Sequence, residues 1–317
     1  MTPSKSTLEC TLLLTVFCVT VAFISALCWD PFETRRRPTI GIYKPLDGSA
    51  RTSKQQFSAT VALWATLAPE TTPRMLSTVE QSLSNVFGSP DSSKWHKRRS
   101  KALSVSLGDG SNHTTTLIDN IDQHELVYGE LGVSSLVKIL DAVGVQKGDE
   151  FLDIGAGHGM LVMAASLFYP NYLRASRGLE IVPELHELSE EYLKQLQEQN
   201  HQHMGAPPGF STSSTCPSKE LYLGDIYDPD IALKEMLSTT NLVVCFATTW
   251  SRGNDCGIQL PKLSRALQAG VLASDARIVV IDGKLLPEDG HVYHGELRLD
   301  CPDTAPYSTA YLYKYQS

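Results

Sequence analysis

The residues with the clearest chemical character form a glycine turn at positions 150–160, with the sequence EFLDIGAGHGM. A short apolar run ends just past Asp153, and Gly155, Gly157 and Gly159 follow at every second position before an apolar helical pattern. A strand that ends in such a turn and continues as a helix predicts a cofactor pocket. Glycines let a ligand approach the backbone closely, and the helix N-terminus adds partial positive charge. The alternative is a strand–turn–helix corner that binds no ligand.

The spacing of the turn distinguishes between cofactors. The glycines follow the order G-x-G-x-G and not the dinucleotide order G-x-G-x-x-G, and Asp153 stands two residues before the first of them. This acidic-then-glycine order resembles S-adenosylmethionine (SAM) sites. It suits a ligand with an amino group and a sulfonium better than one with a pyrophosphate, so we expect the turn and Asp153 to hold the methionine end of SAM.

Two further acidic residues end the next two predicted strands. Glu180 can accept hydrogen bonds from two vicinal ribose hydroxyls. Asp225 can accept one from the adenine amino group, with Ile226 packed beside the ring. Ligands of such folds bind at the carboxyl ends of the strands, which is where these residues are predicted to lie. Alternatively, Glu180 is a helix-start charge and Asp225 a turn or cap residue.

The pattern along the second half of the chain predicts the elements that hold these residues. Apolar runs at 151–154, 177–181, 220–223, 241–246 and 277–282 alternate with helical patterns. Two alternating strands, at 294–300 and 309–315, follow them. The predicted fold class is therefore α/β, a doubly wound, mostly parallel seven-stranded Rossmann-like sheet with a terminal antiparallel hairpin.

The end of the fourth predicted strand faces the expected point of methyl transfer. Cys245 and Phe246 stand there, and Trp250 follows shortly after. We interpret Phe246 and Trp250 either as the dry wall of an acceptor channel or as ordinary core or lid residues. His158, inside the glycine turn, is predicted to be a loop residue that faces cofactor or solvent, and a catalytic histidine is the alternative.

Residues of about 117–315 resemble class I SAM-dependent methyltransferases, and more narrowly the disruptor-of-telomeric-silencing (Dot-type) histone lysine methyltransferases. The narrower resemblance rests on VYGE at 127–130, on FLDIGAGHG at 151–159 and on PYSTAYLY at 306–313. It implies that Tyr128 and Glu130 bind the methionine part of SAM as a lid.

By the same resemblance, Tyr128, Cys245 and Phe246 are the candidate catalytic residues. The family carries an asparagine that bonds the methionine moiety where this chain has Cys245. A thiol is a weak donor and acceptor, so the lysine-channel chemistry does not transfer directly.

The expected function is therefore SAM-dependent methyl transfer, with a protein lysine side chain as the acceptor. Three alternatives stay open: a small-molecule methyltransferase, a membrane-anchored non-histone lysine methyltransferase and a non-catalytic SAM-binding module. The net charge of −8 argues against direct nucleic-acid binding. No C-x-x-C pair occurs among the seven cysteines, so a metal site is not expected.

The N-terminus predicts targeting. Residues 11–27 form an uncharged apolar run that suits either a membrane-anchoring helix or the core of a cleaved signal peptide. We therefore expect three parts: a signal or anchor at 1–37, a loosely packed lead-in at 38–116, and the methyltransferase domain at 117–317. The chain would be membrane-anchored or routed to the secretory pathway or an organelle, or soluble after cleavage.

Overall fold

Within the part of the chain that the structure describes, seven strands form one sheet in the order β3-β2-β1-β4-β5-β7-β6. The structure is a computed structural model, and it describes residues 73–89, 92–107, 129–203, 217–248, 250, 258–268, 271–300 and 307–315. The strands are β1 (Asp149–Ile154), β2 (Leu173–Glu180), β3 (Ser218–Leu223), β4 (Leu242–Phe246), β5 (Arg277–Ile281), β6 (His291–Leu299) and β7 (Ser308–Tyr315).

The sheet has the predicted mixed topology. Strands β1 to β5 pair in parallel, whereas β7 runs antiparallel to both β5 and β6. The chain leaves β1 toward β2 and β3 and returns to place β4 on the other side of β1. Sheets of this type bind ligands at such a reversal, outside the carboxyl ends of the strands. The prediction of an α/β seven-stranded sheet with a terminal hairpin is confirmed.

Helices cover both faces of the sheet. They are α1 (Pro73–Phe87), α2 (Ser93–Leu107), α3 (Val133–Val143), α4 (Met160–Phe168), α5 (Pro183–His203), α6 (Ile231–Thr239) and α7 (Pro261–Ala266). One apolar cluster joins α1, α3 and α4 to one face, and a second joins α6 and α7 to the other. All six residues of β1 are buried for this reason, as expected of a central parallel strand that is covered on both sides.

Two helices lie within the segment that the sequence predicts as a loosely packed lead-in. Leu83, Val86 and Phe87 of α1 are buried in the cluster that also contains α4. The difference from a loosely packed segment is thus limited to α1, residues 73–87, whose apolar side packs against the core. The domain boundaries at 37 and 116 remain predictions.

Helix α7 is a second difference. The sequence predicts one helix over 259–273, but the helix begins at Pro261 and ends at Ala266. Proline suits the first helical position because it has no N–H to leave unpaired there.

The predicted N-terminal hydrophobic helix at 11–27 lies outside the described residues, as does Tyr128. Among the residues that are described, no helix has the length and apolarity needed to cross a membrane. The membrane, signal and localisation predictions therefore gain no support from the structure.

Candidate cofactor site

The glycine turn has the conformation that its spacing predicts. Gly155, Gly157 and Gly159 have φ values of 79°, 56° and 80°, in the left-handed region that disfavours side chains. The amides of Gly155 and Ala156 donate to the carbonyl of Leu179, at 2.9 and 3.0 Å. The turn is thus bonded to the end of β2, and the glycines contribute conformation and space instead of free N–H groups.

Glu180 is the main support of that turn. Its carboxylate accepts hydrogen bonds from the backbone amides of Gly157 at 2.6 Å, Val182 at 2.9 Å and Ile181 at 3.0 Å. A carboxylate offers about four acceptor positions, so these bonds leave room for about one ribose hydroxyl and not for two. Ribose binding by Glu180 stays a prediction. The observed bonds show that its carboxylate holds the glycine turn in place.

A cavity of about 30 Å³ opens between the glycine turn and the loop before α3. That volume holds about two water molecules, or one amino group. Among its lining residues are the predicted site residues Glu130, Asp153, Gly155, Gly157 and Phe246. The structure therefore brings together, at one place, residues that the sequence places on three separate elements.

Asp153 contributes a buried carboxylate to this cavity. It is 2% exposed and lines the cavity, and the described residues provide its carboxylate with no hydrogen-bond donor. Burial, together with the nearby charge of Glu180, raises its pKa to about 7. A buried carboxylate without a donor is costly, and a bound ammonium group would remove that cost.

His158 lies in the wall of the cavity and is not exposed to solvent, in contrast to one of its predicted orientations. Its Nε2 lies 3.3 Å from Oε1 of Glu130, and its ring packs against Phe87 with the centroids 5.2 Å apart. Burial and the neighbouring guanidinium of Arg98 hold its pKa well below 6.5. The imidazole is therefore neutral at physiological pH and fixed by Glu130.

Two aromatic side chains lie near the glycine turn. Phe246 is half-buried in the cavity wall, and its ring lies so close to Gly129 that a Cβ there would approach Cε1 to 2.8 Å. This contact explains the glycine of the YGE motif in physical terms. Trp250 lies over the glycine turn, with Cζ2 at 3.7 Å from the point where a Cβ on Gly155 would stand.

Cys245 occupies a different environment from Phe246. Its side chain is fully buried in the apolar cluster on the α6–α7 face, whereas Asp153 and Phe246 lie on the α4 side of the sheet. Burial raises the pKa of the thiol well above its usual value, so it stays protonated. This placement does not support direct contact between Cys245 and the cofactor or the acceptor.

The predicted adenine-binding residues lie at the end of β3. Asp225 accepts a hydrogen bond from the amide of Tyr227 at 2.8 Å, which is the turn geometry weighed as the alternative, and Ile226 is buried. Oδ1 of Asp225 makes this bond. A hydrogen bond from the adenine amino group to the other carboxylate oxygen of Asp225 remains a prediction. Tyr128 lies outside the described residues, and its lid role also stays a prediction.

Sequence reasoning missed Arg98, which forms a salt bridge with Glu130. In the sequence this arginine is one of several cations at 94–101, a stretch that is typical of a solvated surface. Only packing distinguishes it, because Arg98 is 4% exposed whereas Lys97 and Lys101 are exposed.

Residues 115–210 match the model of a family described as "Histone methylation protein DOT1". The chain resembles the Dot-type methyltransferases. The match confirms the predicted resemblance, and with it a SAM-dependent methyltransferase of class I whose cofactor is SAM. No curated protein matches the chain.

Several solved structures are similar to part of this chain, and three of them are as follows. The rRNA methyltransferase AviRa from Streptomyces viridochromogenes is 17% identical, with a TM-score of 0.42, over 67% of this chain and 92% of its own. A SAM-dependent methyltransferase from Aquifex aeolicus is 12% identical, with a TM-score of 0.38, over 59% and 100%. TrmK from M. capricolum, solved with S-adenosylhomocysteine (SAH), is 9% identical, with a TM-score of 0.37, over 60% and 71%.

The residues of the cavity fit the amino group of this cofactor. Two carboxylates, from Asp153 and Glu130, line a space of the right size, and the glycine turn admits the methionine chain beside them. Because ionised Asp153 is the form that pairs with an ammonium, the affinity for SAH is expected to rise with pH through about 7. Below that pH the affinity should fall by up to about tenfold per pH unit.

Titration calorimetry at pH 6, 7 and 8, in two buffers of different ionisation enthalpy, measures this linkage. We expect proton release on binding at pH 6 and little at pH 8. Burial also raises the pKa of Glu180, which could contribute to a pH dependence of binding. The variant Asp153→Asn is therefore the control. Its residual affinity for SAH should no longer depend on pH. A constant affinity without proton release would contradict the assignment.

Proposed function

We propose that this chain is a protein-lysine N-methyltransferase. The observation that carries the proposal is Phe246, an aromatic side chain that lines the cavity together with Asp153, while Trp250 packs against Gly155 of the glycine turn. An aromatic wall suits the aliphatic stem of a lysine and keeps water away from the reacting amine. The family description, which names histone methylation, supports a protein acceptor.

In this proposal, the residues of the chain position the cofactor and the acceptor amine. Asp153 accepts a hydrogen bond from the amino group of the cofactor, and Glu180 keeps the glycine turn in its conformation. When bound, SAM supplies a methyl group activated by its sulfonium. Phe246 would border the acceptor amine at the cavity, and positioning of that amine would suffice for methyl transfer without a strong general base.

Transfer of a tritiated methyl group to cell lysate by the full chain tests the proposal. The expected product is a set of labelled protein bands that resist RNase and disappear with protease. Mass spectrometry should place the methyl groups on lysine. A matched lysate with its lysines blocked by acetylation, which turns each amine into a non-nucleophilic amide, should accept no label.

Three outcomes would overturn the lysine assignment. Label that is lost on RNase treatment would indicate an RNA acceptor. Label confined to the small-molecule fraction would indicate the small-molecule alternative. SAH binding without transfer to any fraction would favour the non-catalytic binding module.

A further inference from the structure

A buried salt bridge joins α2 to the loop that carries Glu130. Nη1 of Arg98 lies 2.8 Å from Oε1 of Glu130, and Nη2 lies 3.1 Å from Oε2. The two side chains are 2% and 6% exposed. Two parallel bonds of this kind fix the carboxylate in orientation as well as in position, which a single ammonium contact does not do.

Arg98 is itself held by aromatic rings. Its guanidinium carbon lies 5.6 Å from the ring centroid of Phe87 and 5.7 Å from that of Trp95. Phe87 also contacts His158, and His158 in turn contacts Glu130. Helices α1 and α2 therefore meet the cofactor site at two points, through Phe87 on the glycine turn and through Arg98 on Glu130.

The salt bridge between Arg98 and Glu130 compensates negative charge in the site. Asp153 and Glu130 line one small cavity, Glu180 raises the pKa of Asp153 through its charge, and all three carboxyl groups are buried. Buried like charges repel one another, and a carboxylate that loses its partner turns away or becomes neutral. The guanidinium of Arg98 offsets one of these charges.

We propose that Arg98 is a positioning residue for cofactor binding, which holds the Glu130 carboxylate at the cavity to receive the amino group of the cofactor. This inference rests on the proposed function, because it assumes that the cavity binds the methionine end of SAM. It makes α1 and α2 part of the cofactor site, although they precede the matched family segment in the chain.

Calorimetric titration of SAH into the full chain and its variants tests the proposal. Arg98→Met removes the charge and keeps much of the volume, and we expect it to weaken SAH binding about 10- to 100-fold. Arg98→Lys keeps the charge without the fork and should bind about three- to tenfold more weakly than the wild type. Lys101→Met, on the same helix but exposed, should bind like the wild type.

A second buried salt bridge provides the matched control for a purely structural effect. Nη2 of Arg277 lies 2.6 Å from Oδ1 of Asp149, at the opposite end of the sheet, and both side chains are buried. Arg277→Met should lower the unfolding temperature as Arg98→Met does. Its affinity for SAH, measured where it is folded, should stay within about twofold of the wild type.

The outcomes separate the possibilities. SAH affinity of Arg98→Met within about twofold of the wild type would overturn the proposal and leave the salt bridge as a structural tie. Tighter binding would overturn it too, because Arg98 would then compete with the cofactor. If Arg98→Met does not fold, unchanged affinity of Arg98→Lys is the contradicting result. If the wild type itself binds no SAH, the proposed function fails and this inference fails with it.

Discussion

Asp153→Asn is expected to weaken SAH binding by about 10- to 100-fold, or by about 1.5–3 kcal/mol, because one charge-assisted hydrogen bond to the amino group is lost. The same change should stabilise the free protein at pH 8. The folded wild-type protein favours the neutral form of Asp153, since the pKa of this residue is raised from 3.8 to about 7. Above that pH the wild type carries an ionised carboxylate in a buried site without a donor.

The sign of the stability effect follows from this shift. The folded-state pKa of Asp153 lies above its unfolded value, so the stability contributed by its proton is complete below pH 3.8 and is lost as the pH rises through about 7. Asparagine does not titrate. At pH 8 Asp153→Asn should therefore exceed the wild type by up to about 4 kcal/mol in free energy of unfolding, with the difference gone near pH 4.

Urea denaturation at pH 4, 6 and 8 measures the stability effect, and calorimetry with SAH measures binding. A variant that is more stable and binds more weakly has the signature of a functional residue, because selection for binding maintains a locally unfavourable group. A variant with unchanged affinity would remove Asp153 from the cofactor site. One that is less stable at pH 8 would show that the carboxylate has a structural partner.

The fold and most of the cavity could be predicted from the sequence because their signals are local. Alternating buried strands and helices predict the sheet, and Gly155 and Gly157 are needed where the backbone enters the left-handed region. Asp153 and Glu180 follow from their positions at strand ends. Parallel strands bring those ends to one edge, so spacing along the chain becomes proximity in space.

The remaining features depend on packing that no local pattern expresses. Arg98 and Glu130 are 32 positions apart, on α2 and on the loop before α3. Their contact depends on how α1, which precedes α2, packs its apolar face on the core. Cys245 and Phe246 are adjacent in the sequence, but successive side chains of a strand point to opposite faces. The structure places only Phe246 at the cavity. The departure from the Dot-type pattern at Cys245 therefore falls on the far face of the sheet.

Glu180→Ala is expected to loosen the glycine turn even before a cofactor is bound. The change leaves the amides of Gly157, Ile181 and Val182 without their acceptor. Each buried N–H without a partner costs about 1–3 kcal/mol, and release of one buried carboxylate offsets part of the sum. A net loss of about 2–4 kcal/mol in local stability follows, together with a loss of SAH affinity.

Hydrogen exchange of the free protein separates this bracing role from a ribose contact. If Glu180 braces the turn, exchange at Gly157, Ile181 and Val182 should accelerate in Glu180→Ala by about 30-fold or more. Glu220 on the neighbouring β3 is the matched control, since its carboxylate bonds Arg177 and Tyr222 and no amide of the turn. Exchange in Glu220→Ala should match the wild type at the three amides. If Glu180→Ala also matched the wild type there while SAH affinity collapsed, the carboxylate would act on the ribose alone.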